Sequence, residues 1–330
     1  MFEIVLNNDK KFLCDQNTTI LEAAKNAQIL LEHSCLAARC RSCAVRVISG
    51  ETQNIETEVV LTEEERTQNY VLSCNAKPLS NLKLDIEDLG NVTIFSKKIV
   101  PAKVDSIEKV TNDVIKIVFR LPATANFDFN AGQYVNIIKG NLTRSYSIAS
   151  KPANNNQLEF FIKRYDQGLM SQYWFDEAKI NDLLRLEGPL GTFFLRDSLC
   201  HDIVFLATGT GIAPIKSILE TIADSAGKFT DKKFWVIVGV RYEGDLFWDP
   251  KDLKSQLNIN FIPVLSKGSS KWEGERGYVQ DVVLKQTIDL NKTQVYACGS
   301  NTMIEAAKKL LIKNSLKENQ FFSDAFVASN

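Results

Sequence analysis

Along the first 90 residues the apolar positions change period several times. Phe2-Glu3-Ile4-Val5-Leu6 alternates as a half-buried strand does. Ile20-Leu21-Glu22-Ala23-Ala24-Lys25-Asn26-Ala27 then follows a helical period, with Thr18 or Thr19 available as its cap. A strand is expected at Cys43-Ala44-Val45-Arg46-Val47-Ile48, ending at Ser49-Gly50, and a short capped helix at Leu61-Thr62-Glu63-Glu64-Glu65-Arg66. Two further strands, 70–74 and 81–86, close this module, and the stretch 87–101 has no period of its own and reads as a connector. From 102 to about 198 strands dominate. Ile115, Ile117, Phe119 and Leu121 alternate with Lys116, Val118 and Arg120, and Leu158, Phe160 and Ile162 alternate with Glu159, Phe161 and Lys163. GPLG at 188–191 reads as a turn separating two more strands, so the expectation is a small antiparallel barrel. Beyond Asp202 strands at 203–207, 234–240, 261–265 and 294–297 are separated by helical runs such as 212–222 and 301–312. That series predicts a parallel sheet with helices on both faces. The domains expected are therefore 1–90, a linker at 91–101, 102–199 and 200–330.

Composition narrows the class. In 330 residues, 24% charged and 45% apolar side chains are the balance of a globular protein. The longest apolar stretches run about five residues, too short for a membrane-spanning helix, so no membrane insertion is expected. The start MFEIVLNNDKKF is interrupted by polar groups and does not read as a secretory signal. Seven cysteines without an export signal then point to reduced thiols or metal ligands in a cytoplasmic protein. A net charge of −1 argues against a nucleic-acid partner, and two histidines, His33 and His201, exclude His-rich zinc sites. Charge is uneven: residues 1–90 carry 14 acidic and 9 basic side chains, net −5, and the other 240 carry 26 and 30, net +4.

Cys35-x4-Cys40-x2-Cys43, with Cys74 31 residues further on, is the plant-type spacing for a 2Fe-2S cluster. Soft, charge-donating thiolates suit iron, and four of them complete both tetrahedra. A zinc site is the alternative, but zinc sites with four cysteines usually use two C-x2-C pairs and this chain has one. Cys14 and Cys200 fit no ligand pattern.

Arg144-Ser145-Tyr146-Ser147 falls on an expected barrel strand, with Arg144 and Tyr146 on one face and Ser145 and Ser147 on the other unless a twist or bulge re-aims a serine. Arginine beside an aromatic ring suits a flavin diphosphate, and the Ser147 hydroxyl suits a flavin ring nitrogen. Alone the tetrapeptide is an ordinary polar strand. With Gly168-Leu169-Met170-Ser171 opening a helix about twenty residues later, where free N–H groups can hold pyrophosphate, FAD becomes the better reading. Thr208-Gly209-Thr210-Gly211-Ile212-Ala213-Pro214 follows a strand and opens a helix, as a nucleotide phosphate requires, although Pro214 stands where a third glycine would complete the dinucleotide fingerprint. A plain tight turn is the alternative. Cys298-Gly299-Ser300 repeats the strand-to-helix arrangement and offers Cys298 to a nicotinamide, or a buried structural thiol.

In this order the motifs R-x-Y-S, G-x-x-S, G-T-G-x-A-P and C-G-S resemble the ferredoxin–FAD–NAD(P) reductase family over essentially the whole chain. The resemblance implies a β-grasp 2Fe-2S ferredoxin domain, an antiparallel FAD-binding β-barrel and a doubly wound parallel-sheet NAD-binding domain. It implies FAD at Arg144, Tyr146, Ser147 and the turn Gly168, Leu169, Met170 and Ser171. NADH is implied at Thr208, Gly209, Thr210, Gly211 and Pro214 and near Cys298 and Gly299, with Phe326 covering the flavin face. Ser147 and Cys298 are then the residues nearest the chemistry. After the second nucleotide-domain strand, Glu243 and Asp245 would repel a 2′-phosphate, while Arg241 and Tyr242 would accept one; the expectation leans to NADH.

The electron path implied is NADH to FAD to 2Fe-2S to a partner enzyme. LTEEE (61–65), AKPLSNL (76–82), LRLEGPLGTFFLR (184–196), GTGIAPIKSI (209–218), YACGS (296–300) and FFSDAF (321–326) resemble the branch serving 3,6-dideoxyhexose synthesis. That branch implies, as partner, the pyridoxamine-phosphate-dependent dehydrase making CDP-3,6-dideoxyhexose precursors. A multicomponent oxygenase is the alternative acceptor, and a redox-sensing protein without turnover is a third reading. Only Ala38 and Arg41, in loop positions where the family tends to have glycine, speak for the third. If those positions need positive φ, a side chain costs about 1–2 kcal/mol at each. Arg39, Arg41 and Arg46 lie near the cluster loop and fit either an acidic docking face on a partner or a plain solvated surface.

Overall fold

The computed structural model describes residues 1–326 apart from Asn91, Asn154 and Ala226, and its chain divides into two compact units, Met1–Ile94 and Phe95–Asn330. In the first, β1 (Phe2–Val5) pairs antiparallel with β2 (Lys11–Cys14), α1 (Ile20–Asn26) follows, and β3 (Ala44–Ser49) comes after the cysteine loop. The unit continues with β4 (Thr52–Asn54), α2 (Glu63–Thr67), β5 (Tyr70–Leu72), β6 (Ala76–Pro78) and β7 (Leu82–Leu84). Its main sheet has the order β2-β1-β7-β3-β5, with β1 and β7 parallel. Thr19 caps α1, its hydroxyl accepting from the Glu22 N–H at 3.1 Å. Ile20, Leu21, Ala23 and Ala24 of that helix are buried with Ile4, Phe12, Val45, Leu82 and Leu84 of the sheet. A smaller core of Cys43, Leu61 and Leu72 lies apart from it.

The second unit opens with β8 (Lys98–Lys109), β9 (Val114–Arg120), β10 (Tyr134–Lys139), β11 (Leu142–Ser147) and β12 (Gln157–Lys163). After α3 (Leu169–Gln172) and a π turn, Tyr173–Glu177, β13 (Leu183–Leu190) completes a sheet of order β11-β10-β13-β8-β9-β12. The sheet is antiparallel throughout and curls, with the Ala149 N–H past β11 bonding the Glu159 carbonyl of β12 at 2.7 Å. Its core includes Phe119 with Phe160 and Trp174 edge-on at 5.7 and 5.9 Å. Two expectations need correcting here. Residues 98–101 are strand rather than connector, since they pair with β13 from Lys98↔Gly188 to Pro101↔Arg185. GPLG does not separate two strands: its first three residues end β13 beside a register shift in β10, and no strand follows before β14. Gly188 is needed there because a Cβ would come within 2.7 Å of the Val135 side chain.

A parallel sheet follows, formed by β14 (Asp202–Thr208), β15 (Lys233–Val240), β16 (Ile259–Leu265), β17 (Glu275–Arg276), β18 (Thr293–Gly299) and β19 (Phe321–Ala325). The helices are α4 (Ile212–Ala223), α5 (Val279–Val283) and α6 (Asn301–Lys313). The order β17-β16-β15-β14-β18-β19 reverses direction at β14, which opens a crevice beyond the carboxyl ends of β14 and β18. α4 packs on Ile203, Phe205 and Phe234, and α5 and α6 contact each other outside that cluster. Among the described residues no helix is long and apolar enough to cross a membrane.

Candidate functional site

The loop from residue 34 to 43 brings the three close cysteines together, and Cys74 joins them from the turn just past β5 rather than from the strand itself. The thiols fall into two pairs. Cys43 Sγ lies 3.3 Å from Cys74 Sγ, and the Cys35 N–H donates to Cys40 Sγ at 3.3 Å. Cys35 Sγ also accepts from the N–H groups of Ala37 and Arg39, both at 3.4 Å. Hydrogen bonding from Cys40 and from these amides holds the Cys35 thiol down at about 5, while Cys40 is pushed up because Cys35 takes the charge of the pair. Amide groups aimed at sulfur are the usual means of stabilising cluster ligands. No group of three or more such side chains among the described residues surrounds a single metal ion. Two pairs suit a two-iron cluster better than one zinc.

Leu36, Ala38 and Arg41 have φ of 56°, 53° and 64°. The left-handed conformation expected at the two non-glycine positions is therefore present, and Leu36 adds a third, at about 1–2 kcal/mol each. The three arginines near the loop are used differently. Arg41 turns inward to the Val60 carbonyl at 2.8 Å and to Glu65, and Arg46 bonds Asp85 at 2.6 Å. Arg39 alone of the three is exposed without an ion pair among the described residues.

In the second unit, β11 alternates as expected through Tyr146: Arg144 and Tyr146 are half-buried and Ser145 is exposed, its hydroxyl donating to Asn136 at 2.8 Å. Ser147 departs from the pattern. It is buried because the strand ends there against β19, and its Oγ donates to Asp324 Oδ2 at 3.5 Å. Burial raises the Tyr146 hydroxyl to about 12, so the ring stays neutral. Arg144 uses one N–H on the Thr143 carbonyl at 2.8 Å. Gly168 is the N-cap of α3 with no side-chain cap, and Leu169, Met170 and Ser171 form the first turn, whose amides have no partner within the helix. The Ser171 hydroxyl accepts from the Tyr165 N–H at 3.0 Å, which fixes the turn before the helix. An arginine, a neutral aromatic and an uncapped first turn are a donor set that fits an FAD diphosphate and ring.

The crevice of the parallel sheet collects the other motif residues. Gly209–Gly211 form a 3-10 turn between β14 and α4, and Pro214 lies in the first turn of α4. Gly209 has φ of 54° and open space where a Cβ would stand, so a ligand can reach its backbone. Gly211 is tight for another reason: its Cβ would stand 2.2 Å from the Cys298 carbonyl. Likewise a Cβ at Gly299 would stand 2.1 Å from Thr208 Oγ1. The two strand ends thus abut through glycine, leaving a cradle suited to a dinucleotide phosphate. Thr210 is buried beneath it. Asp245, past β15, accepts from the Tyr242 N–H at 3.0 Å, and Glu243 accepts from Ser269 at 2.9 Å, so both carboxylates are fixed rather than free-swinging.

Cys298 is wholly buried, and burial, then the nearby Asp324 charge, raises its thiol well above the ordinary value. It sits opposite Asp324 in the β18–β19 register. Ser147, Cys298 and Asp324 therefore converge. Asp324 was missing from the candidates, although it lies inside the FFSDAF stretch; no spacing rule marks it. Phe326 continues the line of β19, its N–H bonding the Gly299 carbonyl at 2.8 Å. Lys216 and Ser217 of α4 donate to the carbonyls of Ala149 and Ser150, at 3.2 and 2.7 Å, and so tie the nucleotide helix to the chain leaving β11.

Three domain families match in register with this architecture: the 2Fe-2S iron-sulfur cluster binding domain over residues 4–79, the oxidoreductase FAD-binding domain over 101–195, and the oxidoreductase NAD-binding domain over 205–309. The chain is 40% identical to the CDP-6-deoxy-L-threo-D-glycero-4-hexulose-3-dehydrase reductase of Yersinia pseudotuberculosis serotype I (strain IP32953), across 96% of both chains. It is 31% identical to the reductase component of propane 2-monooxygenase from Mycolicibacterium goodii, over 95% of this chain and 93% of that one. Among solved structures, the Amycolatopsis cytochrome P450 reductase GcoB aligns over 99% of both chains with a TM-score of 0.74 at 23% identity, which shows the shared fold. The chain belongs to the ferredoxin–FAD–NAD(P) reductase family, and is an NAD(P)H-dependent oxidoreductase carrying a 2Fe-2S cluster and FAD.

Proposed function

We propose that this protein draws electrons from NADH and delivers them to a dehydrase acting on a CDP-linked 6-deoxy-4-hexulose, in the cytoplasm. The observation that carries the reading is the 40% identity to a reductase of that dehydrase, sustained over 96% of both chains. FAD, when bound, converts the two-electron donor to single electrons that the cluster can carry. Cys35, Cys40, Cys43 and Cys74 hold the cluster; Arg144, Tyr146 and the turn Gly168, Leu169, Met170 and Ser171 hold FAD. The turn from Thr208 to Pro214, with Gly299, holds the nicotinamide nucleotide. The Ser147 hydroxyl, which rests on Asp324 at 3.5 Å, would donate to a flavin ring nitrogen when FAD is bound. Cys298 packs below as a neutral thiol, and Phe326 covers the approach from the C-terminal side. Glu243 and Asp245 favour NADH, since a 2′-phosphate placed near fixed carboxylates is repelled.

No step calls on a strong acid or base, which agrees with two histidines in the whole chain. A second reading, supply to an oxygenase, is supported by the 31% identity to the propane 2-monooxygenase reductase. Ala38 and Arg41 take left-handed conformations while Cys43 and Cys74 lie paired, which supports a loop able to receive the cluster over a protein without turnover. The test is anaerobic reconstitution with the purified dehydrase, its pyridoxamine phosphate and the CDP-4-keto-6-deoxyhexose. NADH-dependent loss of the C3 hydroxyl at rates saturating in this protein is expected. Failure there, with turnover restored by an oxygenase component, would move the chain to the second reading.

A further inference from the structure

The cluster loop contains an arginine that does not face solvent. Arg41 stands between two cluster ligands, Cys40 and Cys43, in a left-handed conformation with φ of 64°. Its Nη1 donates to the Val60 carbonyl at 2.8 Å, and its Nη2 pairs with Glu65 Oε1. The two side chains are 18% and 21% exposed.

Glu65 is held on its other side. Its Oε2 accepts from the Thr62 N–H at 2.8 Å and from the Thr62 hydroxyl at 3.1 Å, which makes it the capping-box partner of α2. The segment carrying Val60 is fixed as well. Glu58, whose side chain is 3% exposed, accepts from the Leu61 N–H at 2.5 Å and from Arg66 at 3.2 Å. Leu61 in turn shares the small core with Cys43 and Leu72, and Cys74 packs against it. A guanidinium bound to two fixed acceptors loses its freedom, and its geometry passes to the backbone that carries it.

We infer that Arg41 and Glu65 form a clamp that positions the iron–sulfur ligands, by tying the loop of Cys35, Cys40 and Cys43 to α2. Arg41 holds a left-handed φ that costs backbone energy, and its side chain ties that strained position to Val60 and Glu65. The pair neither ligates iron nor meets the nucleotide, so its role is positioning. The inference rests on the four cysteines holding the cluster. If they do not, the unaltered protein lacks the visible absorbance of a 2Fe-2S centre and no variant needs comparing.

The experiment uses the full-length holoprotein, purified anaerobically, with R41G, R41K, E65Q and the R41G/E65Q double variant. Two quantities are read: the rate at which a chelator bleaches the cluster, and the EPR signal and reduction potential of the dithionite-reduced centre. R41G and E65Q are expected to release iron about tenfold faster, the scale on which partners behind metal ligands act. The double variant should be no faster than either single one, and R41K should recover part of the loss. The EPR signal should shift in R41G and E65Q alike while flavin content stays unchanged. If R41G retains iron as well as or better than the unaltered protein, the side chain is only a strained substitute for glycine. If the effects of R41G and E65Q simply add, the two residues act separately. Either result overturns the clamp. E65Q preserves shape and leaves the loop sequence untouched, so a folding defect in R41G alone does not decide the outcome.

Discussion

Asp324 is 4% exposed, and the hydroxyl that reaches it comes from a strand 177 residues earlier in the chain. A buried carboxylate needs such a partner, because desolvation penalises its charge. The contact also orients Ser147 and so couples the end of the barrel strand to the last strand of the nucleotide sheet. Replacing the serine removes the hydroxyl that would meet the flavin ring, an interaction that on the hydrogen-bond scale of about 1.5–3 kcal/mol would be felt in the rate if it strengthens in the transition state. S147A is therefore expected to slow flavin reduction by NADH about tenfold to a hundredfold in an anaerobic stopped-flow experiment. An unchanged rate would place the hydroxyl outside the reaction. The gathering of the four cysteines was legible from their spacing, because three of them share one short loop. Asp324 and the Arg41–Glu65 pair were not, since nothing local marks a partner that the fold supplies from far along the chain.

At the scale of elements, alternation located the long strands well and the short or irregular ones poorly. β14, β15 and β18 are nearly continuous apolar runs, as strands buried on both faces must be. β2 went unread because a four-residue alternation beside charged Lys10 and Lys11 carries little signal, although Phe12 and Cys14 are buried. β19 was missed as a strand because Phe321, Phe322, Ser323, Asp324 and Ala325 follow no single period. The two glycines of the nucleotide turn separate here by mechanism. G211A drives a Cβ into the Cys298 carbonyl and should lower the melting temperature by about 2–4 °C for each kcal/mol lost. G209A meets no protein atom and pays only for its φ, about 1–2 kcal/mol, but it would fill the open side on which a phosphate is expected. The expected outcome is a smaller change in melting and about a tenfold weaker Kd for NADH, measured by flavin-quenching titration. Equal melting losses and equal Kd values for the two variants would contradict the division.

For the whole molecule, each compact unit owns its cores. Ile4, Leu21 and Leu84 belong to the first, and Phe119, Trp174 and Phe205 to the second. The FAD and nucleotide families match only the second. A protein lacking Met1–Ile94 should therefore still be bleached in its flavin by NADH, while delivery of electrons to the partner enzyme is lost. In the full-length protein an anaerobic NADH titration should bleach flavin and cluster together. Bleaching of flavin alone would mean that the strained loop has lost its iron or moved its potential out of reach.

The tip of that loop has one more consequence, for what the chain turns outward. Leu36, half-exposed in its left-handed conformation, Ala37 and Arg39 turn their side chains to solvent while the amides of Ala37 and Arg39 point back to Cys35 Sγ. Their side chains make no hydrogen bond or ion pair among the described residues, so substitutions there drift at little cost to stability. Replacements at Leu36, Ala37 or Arg39 are therefore expected to change what this face presents to a partner while leaving the melting temperature of the chain beneath it nearly unchanged.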